Sequence, residues 1–593
     1  MDRFSLDDLR GRRVYWLLDL HAFGQILRLS TSDLLVSESD AGAEWRYTGT
    51  LPGASFSSAV AVLQDNLDAG GLQVEAVLPV DVPSLLAKGH QLEGARAELS
   101  RWVEGTDYSD RRVVLVGRVQ ESETGADGEP CAFSIAEHVW EASTLIPGAL
   151  QIVDGINWPD SITSLFGEEL GLSYPIVYGY PGITGAVSRG WITGSQGVWV
   201  DHRRTGTSTP SVYNDLKLVI AGHRVMADRV MLSTDGDIPG LRFVVHHMTD
   251  GRGQTVAYVD AEAVIGSAPV TPGGDSDGVN SYGLGAAGID NSFQPENATI
   301  STAILSPVFC GWYLPAAATA ETTGGMRGSR GQLVRGAGDV LESLFSFVDR
   351  PVDRGRFAAA AGQLNRFKID AVIDARVRPW DWFSANLRPI LPVSMVTGPA
   401  GVYPIVWRFD AVAADAVAAL DATNDPTITR ASRLQVDTSN VVNDFSMSYA
   451  LSLRTGEFYR QIRLGAGPFD SADPLSRVSL HCQLSQSRYR YADGRPRVIS
   501  DELESSVIYD DSTAAAILGW RARAYALGQV FVSYVVPYSE WGWLDRGQVV
   551  TVTDPEIHIL ERVALIVEVQ IDSSETMGIK LLLLEDPPRD ARG

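Results

Sequence analysis

Along Ala95-Arg96-Ala97-Glu98-Leu99-Ser100-Arg101-Trp102-Val103, apolar and charged residues alternate. That period of two belongs to a strand with one dry face and one wet face. From Leu20 to about Val119 short segments of strand character follow one another between Gly, Asp and Ser clusters: QILRLS, DLLVSE, WRYTGTL, LQVEAVLP, ARAELSRWVEG and RRVVLVGRVQ. A chain punctuated in this way is restricted to antiparallel β structure, here a small barrel or sandwich. Only Val82 to Lys88 interrupts it, as a brief helical insert.

Residues 140–200 are rich in Gly, Pro and aromatics, with the run Leu172-Ser173-Tyr174-Pro175-Ile176-Val177-Tyr178-Gly179-Tyr180-Pro181-Gly182. Pro175 and Pro181 cannot donate to a ladder, so this run reads as an edge or extended connector. Strand character returns between Asn214 and Val264, and residues 265–335 read as a long irregular connection. Apolar residues at helical spacing begin at Gly338, followed by an Ala-rich segment from Arg356 to Phe367. A third short helix runs from Trp380 to Leu391, entered through Pro379. Beyond Val402 strands dominate again, with one plausible helix at Val412 to Leu420 and another at Ser512 to Leu527, opened by Asp510-Asp511-Ser512 as cap candidates. Strands QVFVSYVV, GQVVTVTD, RVALIVEVQID and GIKLLLLED close the chain. The expected fold is mainly β with some α, a multi-domain α+β chain without fixed-period repeats. Its expected divisions are 1–140, 141–335, 336–500 and 501–593, with discontinuous domains allowed.

A length of 593 residues is enough for about three to five domains. With 45% hydrophobic residues the chain can fill several cores, which excludes a mainly disordered, collagen-like or small disulfide-built protein. Asp+Glu number 73 against 49 Lys+Arg, a formal charge of −24, which argues against a protein that binds nucleic acid by neutralising phosphates. Only Lys88, Lys217, Lys368 and Lys580 are lysines; the arginines are scattered, without the clustering a recognition role requires, and read as coding bias. Cys131, Cys310 and Cys482 lie more than 170 residues from one another, which excludes a local zinc or iron–sulfur site and fits a reducing cytoplasm. The start MDRFSLDDLRGRR lacks the apolar run of a secretion signal, and no window offers about 18 uncharged apolar residues for a membrane span. Asn297-Ala298-Thr299 fits a glycosylation pattern without a secretory context.

No catalytic constellation emerges. Gly283-Leu284-Gly285-Ala286-Ala287-Gly288 matches a dinucleotide fingerprint in letters, but neither a leading strand nor a receiving helix flanks it. His246 and His247 are adjacent, so on a strand their rings face opposite sides. Acid pairs such as Glu168-Glu169 and Asp510-Asp511 are what a charge of −24 produces, and a glycosidase pair would need a cleft around them. The 14 Trp and 19 Tyr suit cores and subunit contacts better than a sugar groove. No catalytic, cofactor-binding or metal-binding residue is nominated, no cofactor is expected, and the chain reads as a non-enzymatic assembly component.

The order of segments resembles the baseplate hub or tail-tip proteins of long-tailed, siphovirus-like bacteriophages and gene transfer agents. Leu85-Leu86-Ala87-Lys88-Gly89-His90-Gln91-Leu92-Glu93-Gly94-Ala95, leading to Trp102 and then Arg112 to Val119, is similar to the tube-like barrel of such hubs. Tyr174-Pro175-Ile176-Val177-Tyr178-Gly179 followed by Leu218-Val219-Ile220-Ala221-Gly222-His223 has the same likeness. So do Asn443 to Tyr449, the helix Ser512–Leu527, Leu544-Asp545-Arg546-Gly547-Gln548-Val549-Val550-Thr551-Val552 and Ile566-Val567-Glu568-Val569.

The resemblance implies tail-tube-like antiparallel barrels with inserted domains, assembled as a homotrimeric ring that closes or extends the tail tube. The implied partners are the distal tail or tube-end protein, the tape-measure protein and tail-fibre or tip proteins, with double-stranded DNA passing through as cargo. The implied location is the virion, after synthesis in the host cytoplasm. Acidic walls would repel passing phosphates, and the same charge would equally keep a virion component soluble. The last 93 residues carry 16 Asp+Glu and 7 Lys+Arg, an acidic surplus suited to such a wall. Some proteins of this class carry an iron–sulfur cluster or a peptidoglycan-cleaving domain; the cysteine spacing and the lack of a hydrolase segment support neither. The alternatives are a carbohydrate-active depolymerase or peptidoglycan-degrading tail enzyme, and a receptor-binding tail-tip module.

Overall fold

The computed structural model describes residues 12–38, 43–51, 56–59, 71–124, 129–137, 144–148, 151–152, 173–179, 191–193, 198–200, 203–205, 212–214, 217–223, 229–233, 241–253, 255–260, 309–313, 334–347, 352–398, 400–451, 457–464, 474–571 and 576–584. The architecture is mainly β, as the strand periodicity predicts.

The N-terminal sheet has six antiparallel strands in the order Gln25–Ser30, Val14–Ala22, Arg96–Val103, Arg112–Thr124, Cys131–Glu137, Gly71–Ala76. Phe23 and Gly24, both at positive φ, form the two-residue turn between the first two strands in sequence; such a turn matches the strand twist. The helical insert is present as Val82–Ala87, capped by Asp81, which accepts from the Ser84 N–H at 3.0 Å. Trp16, Leu18 and Leu20 face one core while Leu17 faces another, shared with Val36, Tyr47 and Trp102 beneath the hairpin Leu34–Glu38/Ala43–Tyr47. This double burial explains why VYWLLDLHA does not alternate. It also changes the reading of Ala95–Val103: Arg96 faces solvent, but Ser100, Arg101 and Trp102 are all buried, so the wet face is confined to the first half of the strand.

The C-terminal sheet runs Ala418–Asp421, Val549–Asp554, Ile559–Ile571, Thr576–Leu583, Gln529–Pro537, Thr429–Arg430, with Gln435–Asp437 also on Gln529–Pro537 and Phe56–Ala59 on Ile559–Ile571. Only the Ala418–Asp421/Val549–Asp554 pairing is parallel in this sheet. Seven residues, 422–428, link its two flanks. Arg430 on one flank donates to Asp554 beside the other at 2.9 Å, and Tyr534 donates to the same carboxylate at 3.0 Å, so the sheet curls toward closure.

Both faces of this sheet bury apolar residues at its central strands. Val532, Tyr534, Val550, Ala564, Ile566, Ile579 and Leu581 join one core with the N-terminal sheet's Trp16, Leu18, Leu99 and Phe133. Val549, Leu565, Val567, Leu582 and Leu584 face a second core. The continuous apolar runs in RVALIVEVQ and GIKLLLLED are the signature of that position.

The second core is built from the helices Ala337–Ser346, Arg354–Leu364, Pro379–Asn386 and Asp511–Tyr525, the hairpin Val393–Gly398/Gly401–Val406, and a three-stranded sheet of Phe458–Leu464, Asp444–Leu451 and Ser500–Glu504. Two expectations need correction here. Val412 to Leu420 is not a helix: the Asp415 carboxylate accepts from Val412 N–H at 2.9 Å, closing a single 3-10 turn, and Ala418–Asp421 pairs as a strand. Sheet pairing overrides the alanine-rich propensity. Conversely, Pro474–Arg488 is a helix that the pattern does not announce, because its buried positions include Ser479, His481, Cys482 and Ser485 rather than an apolar stripe.

A seven-stranded antiparallel sheet occupies the middle of the chain, in the order Trp191–Thr193, Phe309–Tyr313, Arg229–Ser233, Leu241–Thr249, Thr255–Asp260, Lys217–Ala221, Val198–Val200. The two motifs Tyr174–Gly179 and Leu218–His223 meet: Val177 N–H donates to His223 Nε2 at 3.0 Å and Gly222 N–H to the Pro175 carbonyl at 2.8 Å. Ile176–Tyr178 pairs with Ala371–Ile373 in a two-stranded ladder, and Gly179 follows at φ +58°. Gly179 has no room for a side chain, since a Cβ there would lie 2.2 Å from Asp370, whose carboxylate is clamped by Arg335 at 2.7 and 2.8 Å. Among the described residues no helix is long and apolar enough to cross a membrane.

Candidate functional site

The GxGxxG run at 283–288, Glu168-Glu169, Asn297-Ala298-Thr299 and, apart from 309–313, 334 and 335, the connection 265–335 lie outside the described residues. His246 pairs with Tyr258 and His247 with Ala257 on neighbouring positions of one strand, which alternate between its faces. Cys131 and Cys482 are buried free thiols, and burial, followed by the Asp444 charge, pushes Cys482 up to about 12. Asp510 caps the helix Asp511–Tyr525 and Asp511 accepts from Tyr449 at 2.8 Å, so this acid pair is structural. Among the described residues no three His, Cys, Asp or Glu side chains group to hold a metal.

The feature that concentrates charge is a groove of about 650 Å³ where four parts of the chain converge. Arg112 opens a strand of the N-terminal sheet. Arg356 stands in the first turn of Arg354–Leu364, where the Asp353 carboxylate caps its N–H at 3.0 Å. Tyr403 comes from the strand Gly401–Val406, and Asp545 and Arg546 come from the turn before Val549–Asp554. Gly547 makes that turn possible: its φ is +79°, and a Cβ would stand 2.5 Å from Ile405.

Asp545 is the hub of the site. Arg356 donates to its Oδ2 at 3.0 Å, Arg112 lies 3.6 Å from the same oxygen, and Arg546 Nε is 3.8 Å from Oδ1. Burial works against ionisation of this carboxyl, but Arg112, Arg356 and Arg546 together outweigh it and hold the group below the usual carboxylate range. The Arg356 guanidinium lies 4.1 Å from the centre of the Tyr403 ring, and Arg546 donates to the Tyr403 hydroxyl at 3.2 Å. Burial first, then the Asp545 charge, raises Tyr403. Arg408, paired with Asp415 at 2.7 Å, completes the rim.

Four arginines therefore face two aspartates in the lining of this groove. Arginine remains charged at any physiological pH, and Tyr403 is shifted away from acid–base use, so the arrangement is suited to holding anionic groups rather than to proton transfer. The scattered arginines of the sequence cluster here after all. Positions 112, 356, 408 and 546 are too far apart in the chain for spacing to reveal the group, and the one local signal is Leu544 to Val552, already noted for its resemblance.

No family model matches the chain, and no curated protein matches it. Among solved structures it is similar to the tail protein from Neisseria meningitidis MC58, at 9% identity and a TM-score of 0.31, covering 96% of this chain and 97% of that one. It is similar also to the 43 kDa tail protein of prophage MuSo2 from Shewanella oneidensis, at 9% identity and a TM-score of 0.29, covering 96% and 98%. A third, the prophage tail protein gp18 from Listeria monocytogenes EGD-e, has 6% identity and a TM-score of 0.27, covering 94% and 96%. These three solved structures, to which the chain is similar, are each described as a tail protein.

Proposed function

We propose that this chain is a non-enzymatic structural protein of a phage-like tail: a baseplate hub that forms a homotrimeric ring at the distal end and closes or extends the tube. The observation that carries the reading is the pair of β sheets within one chain, one from each end and the C-terminal one curled, packed on a single core. Three copies would present six such sheets to a six-fold tube above. On this reading the N-terminal sheet and the C-terminal sheet, which takes in strands from 418–437 as well as from 529 onward, supply the ring, while the rest of 141–335 and 336–500 is inserted between them and reaches tape-measure, fibre or tip proteins. DNA crosses the ring as cargo, and a net charge of −24 disfavours its retention. The hub-like segments of the sequence support the same assignment.

The test is the native mass of the purified chain, alone and with its tube-end partner, joined to an image of the particle with this chain labelled. Three copies at the distal tail are expected. A chain that stays monomeric and never joins a tail overturns the reading.

A further inference from the structure

We infer that the Asp545 groove is a subunit contact, and that its occupant is the acidic strand Ser500–Glu504 of a second copy of this chain. The inference rests on the ring reading above and gives that ring its contact. Within the groove three guanidiniums share the Asp545 carboxylate, with Arg546 12%, Arg112 24% and Arg356 45% exposed, so a cationic surplus faces an open groove. Guanidiniums in excess over the carboxylate they share suit a further carboxylate or phosphate. A groove of about 650 Å³ is far larger than one small anion, and Ile405, Val417 and Trp543 give it apolar walls. Its helix wall offers Ala359, an exposed residue small enough for another backbone to approach. These features fit a peptide segment with acidic side chains.

The chain itself is the acidic partner most certain to be present, with 73 Asp+Glu. Ser500–Glu504 edges its three-stranded sheet and pairs only with Asp444–Leu451 among the described residues. Ser500, Glu502 and Glu504 are exposed while Asp501 and Leu503 turn inward, so two glutamates project from one side about 7 Å apart. Groove and strand are different patches, which makes the contact heterologous, the kind that generates a ring when its rotation closes.

The experiment compares the full-length chain with Ala359→Glu, with Glu502→Lys/Glu504→Lys, and with all three substitutions combined, by sedimentation mass across a concentration series at low and high salt. Ala359 is exposed on its helix and glutamate is a good helix former, so folding is preserved; circular dichroism and the melting temperature check this. Expected is a salt-sensitive trimer for the unaltered chain, at least about tenfold weaker association for either charge change, and recovery to within about threefold when they are combined. A trimer unaffected by a folded Ala359→Glu overturns the groove as the contact while leaving the ring reading intact. Loss in both single changes without recovery in the combination overturns the strand as occupant. An unaltered chain that is monomeric throughout overturns this inference and the ring reading together.

Discussion

Arg101 lies on the inner side of its strand, 2% exposed, with its guanidinium 4.7 Å from the centre of the Trp16 ring and 3.9 Å from that of Tyr538. It thus bridges the N-terminal sheet to the helix Tyr538–Trp541 of the C-terminal part. A desolvated cation between two aromatic faces is worth about 2 kcal/mol or more, and Arg101→Ala also removes a packed stem, so a loss of about 3 kcal/mol is expected in urea unfolding. Arg96→Ala, on the wet half of the same strand, should stay within about 0.5 kcal/mol. Asp510 offers a pH test. Burial would raise its carboxyl, but hydrogen bonds from Ser512 and Thr513 and the Lys368 ammonium bring it down to about 2 from 3.8. A folded-state value below the unfolded one contributes stability that is present above pH 3.8 and lost as pH falls toward 2. Asp510→Asn should therefore be less stable than the unaltered protein at pH 6, with the gap narrowing between pH 4 and 2 in urea titrations at about half-unit steps.

At the scale of elements, the strand Ile559–Ile571 shows what a sheet that buries apolar residues on both faces demands. Leu565 and Ile566 are neighbours in sequence, both fully buried, yet belong to different cores. Leu565→Ala and Ile566→Ala should each cost about 2–5 kcal/mol in chemical denaturation, because each leaves a cavity in its own core. A change near zero at either position would mean that its side of the sheet is not packed. These strands were legible in the sequence because unbroken apolar runs bounded by charge leave few alternatives. The helix insert at Val82, the helix Ala337–Ser346 and the N-terminal strands were legible for similar reasons of period and capping. The helix Pro474–Arg488 was not, since Asn443 donates to Ser485 at 3.2 Å and Gln486 to the Asn443 carbonyl at 2.9 Å, and small polar groups that bond inward leave no hydrophobic trace. The groove was illegible for a different reason: its arginines come from four separate parts of the chain, and only the folded chain brings Arg112, Arg356 and Arg546 to one carboxylate.

For the whole molecule, the decisive contacts join the two ends of the chain. Phe56–Ala59 adds to the strand Ile559–Ile571, and the core beneath Trp16 and Leu18 is completed by Ile566, Ile579 and Leu581. Contacts of such sequence separation form slowly, since loop closure precedes their reward. During synthesis the N-terminal sheet emerges long before the strand Ile559–Ile571, and at about 5–20 residues per second the wait is roughly 20 to 85 s. Throughout that interval its inner apolar face is open to chaperones, to proteases and to neighbouring nascent chains. A chain cut before residue 559 keeps Val532, Tyr534, Val550 and Val552 but lacks Ile566, Ile579 and Leu581, so this core stays incomplete. The core beneath Trp16 and Leu18 is therefore finished by residues more than 500 positions further along the chain, and its closure waits on them.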